Sequence, residues 1–387
     1  MLAIVNAKIL TPLKIIDPGT ILIKNHSIVA VGYAKEVPVP PTAKVIDIHR
    51  KIVVPGFIDL HIHGSHGFDV ADGSAEALHT ISKNLVQYGV TSFLPTVADS
   101  SLEEILKVIK ITKKIMHSGT EGAQILGLNL EGPYLNPTKK GSMYSDYFRL
   151  PSQDEINQLL KEGESVIKMI TLAPELKGAI PLISLLKEKG IVISGGHSNA
   201  TYSEAMNAFK KGMNHVTHIF NAMRKLHHRE PGIVGAALAM DDVNVEIIAD
   251  GFHLHPAIIK IITRVKGIER VILITDAVRA VGLSEGVSYL RGKEVVNVKN
   301  GVVQTKKGVL AGSILTMDKA VRNMIQFTGL SLGKVIQMCT LNPARAIKVD
   351  AYKGTIQEGK DADLVVLNED YKVCLTLVAG NIVYTAL

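Results

Sequence analysis

Eight short, almost wholly apolar segments recur about every 30 residues through the middle of the chain, each followed by a longer stretch with helical periodicity. They read GFIDLHIHG, TSFLPTV, ILGLNLEG, IKMITLAPE, GIVISGGH, NHVTHIF, NVEIIADG and VILITDA. Apolar runs of this length, without polar alternation, are strands covered on both faces, as in a parallel sheet flanked by helices. The intervening SAEALHTISKNLVQYG, SLEEILKVIKITKKI, IPLISLLKEKG and HPAIIKIITRVKG supply amphipathic helices. Eight strand–helix units predict an α/β fold closed into a (β/α)8 TIM-type barrel rather than a doubly wound sheet.

The two ends of the chain have another character. Residues 1 to about 55 and the stretch from Gly354 onward are rich in Val and Ile, alternate in polarity and break at Gly, Pro and Asn, which predicts short strands. Neither end is long enough for a good core alone. A small β-sandwich domain is therefore expected from both termini, residues 1–55 plus 350–387, beside a barrel at 56–349. A chain of 387 residues exceeds what one core usually holds, which agrees with two units. Between the eighth strand and the helices from Thr316, SYLRGKEVVNVKNGVVQTKKG is expected to leave the barrel as a β-hairpin.

Composition removes several functional classes. The net charge of +7 is spread along the chain and interleaved with acidic residues, and there is no Trp, so nucleic-acid binding is not expected. No run approaches the roughly 20 apolar residues needed to cross a bilayer. The start, MLAIVNAKILTPLKII, lacks the plan of a signal peptide. Two cysteines, Cys339 and Cys374, sit among apolar neighbours and read as buried thiols rather than a disulfide framework. A soluble cytoplasmic protein is the expectation.

Polar residues concentrate at the C-terminal ends of the apolar segments, where a barrel of this kind builds its active site. His61 and His63, Glu131, His197, His218, Asp250 and Asp276 all lie there. His61 and His63 are two apart on a strand and so share a face, with Asp59 one pleat deeper, where it could orient a histidine. A lone HxH pair fits packed histidines as well, but its place at the opening of a barrel favours ligands. Glu131, before a Gly-Pro turn, is either a helix cap or a ligand. His197 and His218 are imidazoles able to bind a divalent metal, and two histidines with one carboxylate leave a position for water. Asp276 is either a cap or a base beside metal-bound water. His215 is expected in a supporting role, and His253 as a hydrogen-bonding partner of substrate.

The segments PGFIDLHIHG, LEGPYLN, GGHSNA, THIFNAM followed by HREPG, IADGFHLHP, TDA and LAGS occur in this order over nearly the whole chain. As a set they resemble the N-acetylglucosamine-6-phosphate deacetylases, a branch of the amidohydrolase superfamily. The resemblance implies a metal held by Glu131, His197 and His218. With His61 and His63 present it implies room for a second ion, so one or two divalent ions, zinc first, with iron, manganese or cobalt as alternatives. It implies Asp276 as catalytic base. Substrate contacts would come from Asn221, Ala222, Arg229, His253, Leu310, Ala311 and Gly312, with Arg229 on the phosphate. It further implies a homodimer whose neighbouring subunit completes the phosphate site. One departure stands out: where the family commonly carries a KGAH-type segment, this chain reads KKGSMYS and places Ser142 and Met143. A thioether cannot donate a hydrogen bond as an imidazole can. A galactosamine isomer, another N-acyl substrate or a non-catalytic sugar-phosphate-binding barrel are the competing expectations.

Overall fold

The computed structural model describes residues 1–12, 14–291 and 294–387. Each of the eight apolar segments forms a strand. They are β1 (Phe57–Ile62), β2 (Val90–Val97), β3 (Leu128–Glu131), β4 (Ile167–Leu172), β5 (Val192–Gly195), β6 (His215–Val216), β7 (Asn244–Ile248) and β8 (Val271–Ile274). Consecutive strands pair in parallel from β1 to β8. A bridge between Ile62, the last residue of β1, and Ala277, just past β8, brings the last strand back to the first. The strands are almost entirely buried, and all eight residues of β2 are out of solvent.

The strands alternate with α1 (Ala75–Leu85), α2 (Leu102–Ser118), α3 (Gln153–Gly163), α4 (Ala179–Glu188), α5 (Tyr202–Lys211), α6 (Gly232–Ala239), α7 (Pro256–Lys266) and α8 (Met317–Thr328). Helix α2 shows why the sequence folds so. Ile105, Val108, Ile109, Thr112 and Ile115 recur on one face and are buried, while Lys107, Lys110, Lys113 and Lys114 face solvent. Its start is fixed by a capping box in which Ser101 accepts from the Glu104 backbone and Glu104 returns the bond. Such a cap is worth about 1 kcal/mol. Thr201 and Glu204 start α5 in the same way.

Strands from both termini share one eight-stranded sheet, so the expected terminal β unit takes the form of a continuous sheet around its own core. The N-terminal Ile52–Pro55 pairs antiparallel with the C-terminal Leu364–Leu367, Val53 opposite Val366. Ile4, Ile9, Ile21, Val53, Leu364 and Leu375 form part of its common core. The chain runs from Ile52–Pro55 almost directly into β1, which ties this sheet to the barrel.

Beyond β8 the chain forms three antiparallel strands, Ser288–Arg291, Glu294–Lys299 and Val302–Thr305, where a hairpin is expected from sequence. The third strand is added by the two-residue turn Asn300-Gly301, both at positive φ, the hairpin turn that Asn-Gly favours. The first turn, at residues 292–293, lies outside the described residues. Val296, Val298 and Val303 seat this sheet on Val278, Ala280 and Ala311 beside the barrel mouth.

Candidate active site

The ends of the barrel strands bring the polar residues together. Asp59, His61 and His63 follow one another on the inward face of β1, all buried. Glu131 is the last residue of β3, while His197, His218 and Asp276 each lie two residues past the ends of β5, β6 and β8. These last three have left-handed backbones, with φ of 46°, 25° and 48°. Non-glycine residues at such φ cost of order 1–3 kcal/mol each and cluster where function holds them. Ala222 shares the conformation, at φ 52°.

Glu131 lies at the centre of the cluster. Its Oε1 is 3.1 Å from His197 Nε2 and 2.9 Å from His218 Nε2. Its Oε2 is 3.2 Å from His63 Nε2 and 3.5 Å from His61 Nε2, yet makes no hydrogen bond although buried. Asp276 Oδ1 lies 3.2 Å from His63 Nε2 and 3.7 Å from His61 Nε2. Ligand atoms of His61, Glu131 and His218, and separately of His61, His63 and Asp276, fall within 4.8 Å of one another. His197 meets Glu131 directly rather than through either of these groups.

The outer nitrogens of the same imidazoles show what the centre is built for. His63 Nδ1 faces the Thr96 carbonyl at 3.2 Å, His197 Nδ1 the Lys139 carbonyl at 2.8 Å, and His61 Nδ1 a Glu246 oxygen at 3.2 Å. A neutral imidazole has one N–H, and these acceptors claim it. The Nε2 lone pairs are thereby left facing carboxylate oxygens, an arrangement that repels unless positive charge lies among them. Lone pairs of nitrogen and carboxylate oxygen converging in a buried site are the donor set of a divalent cation, so the residues fit the metal that this fold implies. In the metal-free chain protons supply that positive charge instead. Burial works against charging His61 and His63, but Glu131, Glu246 and Asp276 outweigh it, raising His61 well above the ordinary imidazole range and His63 to about 9. Against the same burial, the imidazoles hold Glu131 and Asp276 well below the usual carboxylate range.

Around the cluster a cavity of ≈ 200 Å³ opens at the C-terminal face, lined by His63, Glu131, His197, His218 and Asp276 and by Gly141, Ser142, Met143, Asn221, Ala222, His253, Val309, Leu310 and Gly312. His253 is held by Asp250, whose Oδ2 lies 2.6 Å from its Nδ1 and whose Oδ1 accepts from the Phe252 and His253 amides. Gly312 closes the turn behind Asp276 at φ 70°, where a Cβ would stand 2.4 Å from Val278 Cγ1 and 3.0 Å from the Asp276 carbonyl. Met143 is buried against Ala98 and Leu135, giving the wall an apolar patch where the resemblance leads to the expectation of an imidazole.

Two residues expected at the substrate are not on this wall. Arg229 sits on an exposed loop with its guanidinium 2.9 Å from His228 Nε2, and Ala311 is buried under the three-stranded sheet, its amide bonded to Val303. Asp59 does not orient an imidazole either. It accepts from the backbone of His61 and Thr275 and from the Thr275 hydroxyl at 2.6 Å, pinning the ends of β1 and β8 together. Burial raises its carboxyl to about 7 in spite of these bonds.

Sequence reasoning missed Glu246. It is fully buried in β7, where His61 Nδ1 and the His218 amide face Oε2 and His215 Nε2 faces Oε1 at 3.1 Å. Burial opposes its charge, but His215 and His61 bring it to about 2. The signal was present: a lone acidic residue inside an apolar strand must find partners in the interior. His215 has the supporting place expected of it.

The amidohydrolase family matches residues 52–383. The chain is 37% identical over 387 residues to the N-acetylglucosamine-6-phosphate deacetylase of Bacillus subtilis (strain 168), covering 99% of this chain and 97% of that protein. It is 38% identical over 343 residues to the N-acetylgalactosamine-6-phosphate deacetylase of Escherichia coli O157:H7, covering 89% and 90%. Among solved structures it resembles the mutant N-acetyl-D-glucosamine-6-phosphate deacetylase from Mycobacterium smegmatis in complex with N-acetyl-D-glucosamine-6-phosphate. The TM-score is 0.91 at 32% identity, over 99% of both chains. Matched by the family over most of its length and by relatives from end to end, the chain belongs to the amidohydrolase family.

Proposed function

We propose that the chain hydrolyses the acetamide of N-acetylglucosamine 6-phosphate to glucosamine 6-phosphate and acetate, a step of amino-sugar breakdown. One observation carries the chemistry: the Nε2 atoms of four imidazoles and the oxygens of two carboxylates converge at the floor of the cavity. The substrate rests on relatives that bear this activity in their names and align over nearly the whole chain.

Glu131, His197 and His218 would hold one divalent metal, and His61, His63 and Asp276 a second. When bound, such an ion polarises the acetamide carbonyl and makes water a nucleophile at neutral pH. Zinc is the proposed ion, while iron, manganese and cobalt accept the same donors. Asp276, kept ionised by the neighbouring imidazoles, takes a proton from the water as its oxygen adds to the acetamide carbon. The protonated carboxyl then delivers that proton to the nitrogen, and the C–N bond breaks to release amine and acetate. His253, braced by Asp250, offers a hydrogen bond to the sugar from the wall, beside Asn221, Ala222, Ser142, Leu310 and Gly312.

Arg229 would grip the phosphate as a permanently charged fork. Its place outside the cavity wall suits a phosphate site completed across a homodimer by the neighbouring subunit. Ala311 would act through the backbone of its segment. The domain boundaries proposed are 1–55 plus 350–387 and 56–349, supported by the core that Ile4, Ile21, Leu364 and Leu375 share within the terminal sheet. A cytoplasmic location is proposed from two buried free thiols, Cys339 and Cys374. No helix among the described residues is long and apolar enough to cross a membrane. N-acetylgalactosamine 6-phosphate is the second substrate reading, favoured by Met143 and by the galactosamine-specific name of one relative.

The test is metal content and acetate release in one preparation, with both N-acetylhexosamine 6-phosphates and the unphosphorylated sugar as substrates. Bound metal with faster release from the glucosamine isomer supports the proposal. Bound metal with release only from the galactosamine isomer replaces the substrate, and a protein that takes up no metal overturns the reading.

A further inference from the structure

Of the four imidazoles at the mouth, His61 alone has a side-chain carboxylate at its outer nitrogen. His63 and His197 are backed by main-chain carbonyls, which no substitution removes. His218 Nδ1 has no hydrogen-bond partner among the described residues. Behind His61 stands Glu246, with no exposed surface, and every group that faces it can donate: His61 Nδ1, His215 Nε2 and the His218 amide. With protons on His61 Nδ1 and His215 Nε2 all three groups donate to it, and it serves as a carboxylate. It thus does two separable things. As an acceptor it fixes the His61 proton on Nδ1 and leaves Nε2 free toward His63 and Asp276. As a charge it adds a third buried negative group to Glu131 and Asp276.

We propose that Glu246 is a positioning residue that sets how many divalent ions the mouth can hold, by making the His61–His63–Asp276 position fillable. The inference rests on the metal-dependent reading above. Charge counting gives its direction. Asp59 is engaged by the His61 and Thr275 backbone and the Thr275 hydroxyl and is the same in both states. The three carboxylates that face the imidazole nitrogens carry −3, so one divalent ion leaves −1 and two leave +1. Without Glu246 the count is −2, one ion gives a neutral site and the second would bring it to +2 in a buried environment, which is costly. Outer partners of metal-bound histidines are worth about 10–100-fold in metal affinity.

Glu246→Gln separates the two roles, because the amide oxygen still accepts from His61 Nδ1 but carries no charge. Metal-free wild-type and variant chains are titrated with Zn²⁺ against a competing chelator, and bound ions are counted after equilibrium dialysis. Cobalt spectra serve as an independent reading of each site. The expected result is two ions in the wild type, with the second bound about 10–100-fold more weakly in Glu246→Gln and the first unchanged. Two ions of unaltered affinity in Glu246→Gln, or a wild type that binds only one, would overturn the inference while leaving the metal-dependent reading in place. A wild type that binds none would overturn that reading instead. Should Glu246→Gln fail to fold by circular dichroism, Glu246→Asp keeps the charge on a shorter stem. It is expected to retain two ions, and loss of the second there would count against charge as the cause.

Discussion

Where the terminal sheet meets the barrel, Lys353 is buried between Asp361 at 2.9 Å and Asp363 at 2.6 Å, with Gln124 of the barrel as a further acceptor. At the barrel mouth, Glu131 is buried among four imidazoles whose Nε2 atoms face its oxygens. Both clusters are ionic and largely buried, but they are assembled differently. An ammonium has three hydrogens, and around Lys353 they meet three acceptors, so the cluster is complete within the chain. At the mouth, carboxylate oxygens face imidazole nitrogens that only a proton or a cation can join to them, one carboxylate oxygen makes no hydrogen bond, and three of the residues hold left-handed backbones. A cluster completed by its own residues joins parts of a fold, whereas one left incomplete is a place for something else to bind.

Substitution of Asp276 gives the sharpest separation of the two. Asp276→Asn keeps the size but removes the base, and turnover of the metal-loaded enzyme should fall by about 10²–10⁴-fold. The metal-free variant gives up the contact of Asp276 with His63, but it should lose far less stability than removal of the cation costs in the Lys353 cluster. Near-normal turnover with metal bound would remove Asp276 from its role, and a large fall in the melting temperature would make the mouth a structural cluster like the other.

The reverse pattern is expected at Lys353. Lys353→Met leaves two buried or half-buried carboxylates without their cation, which should cost about 3–5 kcal/mol in urea unfolding. The kcat/KM of the folded variant should remain unchanged. A loss below about 1 kcal/mol would put the cluster on a level with surface ion pairs and break the contrast.

The smallest effect is one of pH. Burial works against charge on Lys353, but Asp363 and Asp361 prevail and raise its pKa above the ordinary lysine value. Above the unfolded pKa of about 10.4 the folded chain therefore holds this proton more tightly than the unfolded chain does. Its contribution is complete below that pH and is lost as pH rises through the folded value. Urea midpoints measured from pH 10 upward should fall more steeply for wild type than for Lys353→Met. Parallel curves would show that Lys353 does not titrate with its partners.

The barrel strands were legible because burial on both faces leaves a plain mark, an apolar run bounded by polar residues. Histidines and carboxylates that end such runs carry the site with them, which is why His61, His63, Glu131, His197, His218 and Asp276 could be named together. Glu246 escaped because its partner His61 lies 185 residues away, and no local pattern connects an acid in β7 to a histidine in β1. Asp59 was read one step too far: its neighbour on the strand is His61, but its hydrogen bonds go to backbone and to Thr275 across the barrel seam. Arg229 and Ala311 came from resemblance alone, which gives residue order but not which side of a loop faces the cavity.

By itself the sequence determined the periodicity of the chain, hence eight strands with helices between them, and the residue types available at each strand end. It also determined that position 143 carries a thioether. Only the tertiary structure decided which nitrogen of each imidazole faces inward, that Glu131 stands at the centre, and that three acidic groups share one buried volume with the histidines. The reason is physical. Periodicity depends on burial, which each segment records in its own residues, whereas tautomer and charge depend on what lies opposite, and closing the barrel sets that.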